Sequence, residues 1–97
     1  MLPTSLDTTV LRALVIDIIA STLCVSRDLV RLSSNLSSDL NADSLDLVAV
    51  LREIESAFDI EVDNRRIENI ETVADVVGIT AEYVAAKAEL EKVLGNG

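Results

Sequence analysis

Histidine is missing from this 97-residue chain, and so is tryptophan. Without histidine no serine here has the usual general base, which excludes a serine hydrolase of the triad type. A single cysteine, Cys24, excludes an intramolecular disulfide, and with no histidine beside it the usual zinc ligand sets are excluded as well. Cys24 follows Leu23 at the end of an apolar run and reads as a small core residue in a reducing compartment. Three glycines and one proline are too few for a turn-rich sheet and favour helices. Aromatics make up 2% of a chain that is 49% hydrophobic, so the core must be aliphatic. Bases are scarce, 8 against 17 acids, for a net charge of −9. Nucleic acid and anionic membrane surfaces are therefore poor partners. Long apolar runs are absent too: Val10 to Ile19 is broken by Arg12 and Asp17. The first seven residues lack the basic start of a signal peptide. A cytoplasmic protein without membrane insertion is expected.

What is present is helical periodicity on a length that suits one domain, residues 1–97. A first helix is expected from about Asp7 to Leu23, capped by Thr4 or Ser5, with Val10, Leu11, Leu14, Val15, Ile18 and Ile19 facing the core. A long loop follows to Ala42, pinned by Leu29, Leu32, Leu36 and Leu40. A second helix should start with Asp43 as N-cap and run to Phe58, with Asp46 completing a near capping box. Leu47, Val50, Leu51, Ile54 and Phe58 form its core face. Its other face carries a second strip, Leu45, Val48, Ala49, Arg52 and Ser56, free to meet a partner. After a charged connector, a short helix spans about Arg66 to Asn69. Thr72 can cap a helix beginning near Val73. Gly78 interrupts that pattern, and Thr80 could cap a further helix from Ala81 to Leu94 carrying Tyr83, Ala86, Leu90, Val93 and Leu94 on one side. The fold class is all-α, a small four-helix bundle with a possible extra C-terminal helix; the core spans about 7–79 and the extension about 80–94.

The densest chemistry lies in Asp39-Leu40-Asn41-Ala42-Asp43-Ser44-Leu45-Asp46. Ser44 falls in the first turn of the second helix, at the positive end of its macrodipole, where a covalently attached phosphate is stabilised. Asp39, Asn41 and Asp43 alternate as in a calcium loop, but Ser44 replaces the turn glycine and Val50 stands where the bidentate glutamate belongs. Between Asp39 and Asp75 there are eleven acids and three bases. Such a surface suits partners with basic faces.

Leu40-Asn41-Ala42-Asp43-Ser44-Leu45-Asp46 resembles the attachment motif of acyl carrier proteins, typically Leu-Gly-Ala-Asp-Ser-Leu-Asp. Phe58-Asp59-Ile60-Glu61-Val62 resembles the family's Phe-Asp-Ile-Glu-Ile stretch, and Ile70-Glu71-Thr72-Val73 its Ile-Thr-Thr-Val block. The three blocks are in register, and the likeness runs from about Val10 to Ile79. It implies that a phosphopantetheinyl transferase attaches 4′-phosphopantetheine from coenzyme A to Ser44. The arm's thiol would carry acyl groups as thioesters, so the chain needs no catalytic residue of its own and is not an enzyme. An aliphatic core of this kind repacks readily enough to sheath an acyl chain.

The resemblance further implies a partner face of Asp43, Leu45, Asp46, Val48, Ala49 and Arg52, met by acyl-transferring or synthase enzymes with basic surfaces. A monomer is expected. Asn41 replaces the family's glycine, and Arg52, Arg65 and Arg66 stand where carriers of fatty-acid synthesis are usually neutral or acidic. Those departures point to a partner surface suited to dedicated enzymes, and the resemblance itself implies a carrier in fatty-acid or specialised lipid synthesis. A polyketide or nonribosomal peptide carrier is the alternative, and an unmodified acidic interaction domain is a third reading.

Overall fold

In the computed structural model, which describes residues 8–95, helices form where apolar spacing and capping residues demand them. Helix α1 spans Thr8–Leu23, α2 Ser44–Phe58 and α3 Val73–Gly95; short 3-10 helices lie at Arg27–Leu29 and Asn64–Asn69. The fold is all-α, with no strand among the described residues. The Asn64–Asn69 turn stands where a short third helix was expected, two residues earlier than its pattern suggested.

Leu11, Val15 and Ile19 of α1 meet Val50, Leu51 and Ile54 of α2 and Val73, Val76 and Ile79 of α3 in one aliphatic core. Burying side chains of this kind stabilises by about 1.5–3 kcal/mol each. Val10 and Leu14, expected on the core face of α1, are instead exposed. The face that packs is narrower, centred on the 11-15-19 row, and α1 presents its flank to solvent. The proposed caps Thr4 and Ser5 lie outside the described residues.

Cys24 is not a core residue. It is exposed, and its backbone turns left-handed (φ 56°) to end α1. That geometry swings its side chain off the helix, where among the described residues the thiol meets the Ser21 carbonyl, 3.8 Å away.

The loop from α1 to α2 is tied to α3 by its backbone. The Val73 and Ala74 N–H groups donate to the carbonyls of Ser34 (3.0 Å) and Leu32 (2.9 Å), and the Leu36 N–H donates to Glu71 (2.9 Å). Donors that a helix N-terminus leaves open are thereby satisfied. Val30, Leu36 and Leu40 are buried beneath this loop, whereas Leu29 is exposed. The 3-10 turn at Arg27–Leu29 hands the anchoring role from Leu29 to its neighbour Val30.

Helix α3 runs unbroken through Gly78. Thr80 is fully buried, and its hydroxyl donates back to the Val76 carbonyl at 2.8 Å. A threonine bonded that way sits inside a helix and caps nothing. The last segment therefore prolongs α3, with Leu90, Val93 and Leu94 exposed beyond the core.

Candidate functional site

The start of α2 is built by a reciprocal capping box. An Asp43 carboxylate oxygen accepts from the Asp46 N–H (2.9 Å), and an Asp46 carboxylate oxygen accepts from the Asp43 N–H (3.0 Å). The preceding turn is fixed from below. Leu40 and Ala42 are buried, the Ala42 N–H donates to the Leu36 carbonyl (2.8 Å), and Asn41 between them is left-handed, φ 57°. Asn adopts that region more readily than most residues, which explains why it can stand where the resemblance has glycine.

Ser44 is the first helical residue and is exposed. Among the described residues no hydrogen bond engages its hydroxyl. The N–H groups of Ser44 and Leu45 also meet no described acceptor, whereas those of Asp46 and Leu47 are taken by Asp43. Leu45 beside it is 79% exposed. A free hydroxyl at a rigid first turn with open N–H donors fits a covalent phosphodiester: the oxygen is accessible and the helix end favours the negative charge. Asp39 and Asp43, two of the alternating oxygens of the calcium-like pattern, are spent on backbone N–H groups of Asn35 (2.7 Å) and Asp46.

The expected partner strip does not form one flat face. Leu45 is its crest, and Arg52 follows two turns on, exposed and in no ion pair among the described residues. Val48 and Ala49 are half-buried and look into different hollows. Ala49 lines one with Leu14, Ile18 and Glu53, between α1 and α2. Val48, Leu51, Arg52 and Glu55 line a larger one, of about 790 Å3, whose far wall is Glu61–Asn64 and Tyr83. The sequence reading missed that far wall. Its residues come from two distant segments; Glu61 and Val62 had stood out only as part of the Phe58–Val62 block, and Tyr83 only as one of a helical stripe.

Ion pairs organise this wall. Arg65 holds Asp63 (2.8 Å), and the hydrogen bond from its guanidinium, helped by its backbone N–H, lowers the Asp63 carboxyl to about 2. Arg66 pairs with Glu82 (2.6 Å) and lies 5.7 Å from the Tyr83 ring centre. Lys87 binds Asp59, whose carboxyl is lowered by that hydrogen bond and by the ammonium charge. At the start of α3, Asp75 is lowered by the N–H groups of Thr72 and Glu71.

Residues 13–79 match the phosphopantetheine attachment site family. The chain is similar to an acyl carrier protein of Syntrophobacter fumaroxidans, 36% identical over 81 residues that cover 84% of this chain and all of the relative. One from Amoebophilus asiaticus is 42% identical over 75% of this chain and 91% of its own. Another, from Chlorobium phaeobacteroides, is 37% identical over 75% of this chain and 88% of its own.

Proposed function

The chain belongs to the phosphopantetheine-attachment family of acyl carriers, and from that membership we propose that Ser44 is its attachment residue. The chain is a carrier and not an enzyme, and 4′-phosphopantetheine is its covalent prosthetic group. When attached, the arm supplies the thiol that holds an acyl group as a thioester. The residues around it serve position and address. Asp43 and Asp46 fix the first turn, Leu40 and Ala42 anchor it to the core, and Leu45 presents an exposed apolar contact beside the arm. The observation that carries this reading is the unengaged Ser44 hydroxyl on a doubly capped turn.

The proposed pathway is fatty-acid or specialised lipid synthesis in the cytoplasm, with dedicated partner enzymes. No helix among the described residues is long and apolar enough to cross a membrane. Arg52 supports the dedicated partners. It lies on the crest of α2 with Leu45, in no ion pair among the described residues, where a basic enzyme face would meet a like charge. Arg52→Glu is expected to raise transfer by general fatty-acid elongation enzymes and to lower it with the dedicated set. Equal rates for both proteins with both sets would remove Arg52 from the recognition face.

Intact-mass analysis of the protein from its host tests the wider reading. An arm bearing a lipid-type acyl group is expected. An arm bearing a polyketide intermediate or an amino acid would move the chain to the alternative pathway. A bare serine under all growth conditions would favour an unmodified interaction domain.

A further inference from the structure

The hollow of about 790 Å3 beside α2 has a polar wall. Leu51 and Val62, two of its three aliphatic residues, are at most 6% exposed, so what a guest would touch is chiefly Arg52, Glu61, Asn64 and Tyr83. Two other carboxylates there are already engaged. Glu55 accepts from the Val62 N–H at 2.8 Å, and Asp63 is held by Arg65. Arg52 and Glu61 form no ion pair among the described residues. The Tyr83 oxygen accepts from the Asp63 N–H at 3.3 Å, which leaves its own O–H free to donate. A bare alkyl chain laid on this wall would strip water from these groups and return no hydrogen bond, so each group would be left unpaired at a cost. A chain carrying hydroxyl or oxo groups would return those bonds.

The wall is also held in place. Arg66–Glu82, Lys87–Asp59 and the bond from Asp63 to Tyr83 pin the connector to α3. Glu82, Tyr83 and Lys87 all lie beyond residues 13–79, the part that matches the family. The prolonged α3 thus supplies a preorganised side to the hollow. Val48, at its rim, is one helical turn along α2 from Ser44, about 6 Å along the axis.

We infer that this hollow seats the end of the arm's cargo and favours oxygenated acyl chains over bare alkyl chains, with Tyr83 as the specificity-determining residue. This rests on Ser44 as the attachment residue.

The test uses 15N-labelled protein loaded at Ser44 with a hexanoyl chain or with its hydroxy and oxo counterparts, loading being checked first by intact mass. Oxygenated chains should shift the amide resonances of Asn64 and Tyr83. The docked population should be roughly fivefold larger per hydrogen bond gained than with hexanoyl. Tyr83→Phe, which keeps the ring, should remove most of that difference. Equal shifts with all three chains, or shifts confined to the first turn of α2, would overturn the inference. A mass spectrum without the arm would instead overturn the Ser44 reading. The same comparison would then be made with the chains joined through a pantetheine mimic to Ser44→Cys in a Cys24→Ser background, so the hollow is judged either way.

Discussion

Helices α2 and α3 start in the same way and end up doing different things. Each opens on a reciprocal box: Asp43 with Asp46, and Thr72 with Asp75, whose carboxylate accepts from the Thr72 N–H (3.0 Å) while the Thr72 hydroxyl accepts from the Asp75 N–H (3.3 Å). Ser44 and Val73 occupy the same place, the first helical residue after the cap. Yet Val73 is 0% exposed, and the N–H groups of Val73 and Ala74 are taken by loop carbonyls. Ser44 is exposed, and among the described residues nothing engages its hydroxyl or its N–H. A capping box therefore makes a helix start, not a site. The candidate site comes from what the rest of the chain leaves uncovered.

That contrast can be broken most severely at Ser44. Ser44→Ala should abolish addition of the arm by a phosphopantetheinyl transferase and coenzyme A, while costing less than about 1 kcal/mol of stability; intact mass and thermal melting read the two effects. Val73→Ala should do the reverse. Removing a fully buried Val side chain is expected to cost about 2 kcal/mol in denaturant titration, with arm addition unchanged. A loss of loading in the folded Val73→Ala protein would mean that the two helix starts are coupled.

The caps themselves should matter less and more equally. Asp43→Ala and Thr72→Ala should each cost about 1 kcal/mol, but only Asp43→Ala should also slow arm addition, because it frees the turn that presents Ser44. Equal loading rates for the two variants would show that Ser44 does not depend on its cap.

Acid supplies the mildest test. Asp75 has its folded pKa depressed below the ordinary 3.8, so its contribution is complete above that value and is lost as pH falls through its lower folded value. Asp63, lowered to about 2, follows the same sign. Amide protection at the start of α3 and in the connector, taken relative to the intrinsic exchange rate at each pH, should therefore fall as pH drops from about 4 toward 2. Protection there that is unchanged across this range would contradict the role given to these carboxylates.

Much of the site was legible because it is local. The Asp43 box, the exposure of Leu45 and the tolerance of Asn41 for a left-handed turn all follow from residues within eight positions of one another. The core face of α2 was legible for the same reason. The wall formed by Glu61–Asn64 and Tyr83 was not, since it depends on Arg66, Glu82, Asp59 and Lys87 meeting across 16 and 28 residues of chain. Helix α3 was misread at Gly78 because a glycine lowers helix propensity by only about 1 kcal/mol. The buried Val73, Val76, Ile79 and Thr80 on either side outweigh that. Cys24 was misplaced because apolar neighbours do not reveal that the residue just past the helix end turns left-handed and leaves the core.

The central claim is that the uncovered first turn of α2 receives the arm. Its most direct test is peptide mapping by tandem mass spectrometry of wild-type protein loaded with coenzyme A and a broad phosphopantetheinyl transferase. The chain has nine serines, so the mapping discriminates. One arm per chain on Ser44, with every other serine unmodified, is the predicted result. An arm on any other residue, or a chain that takes no arm while folded, would contradict the account.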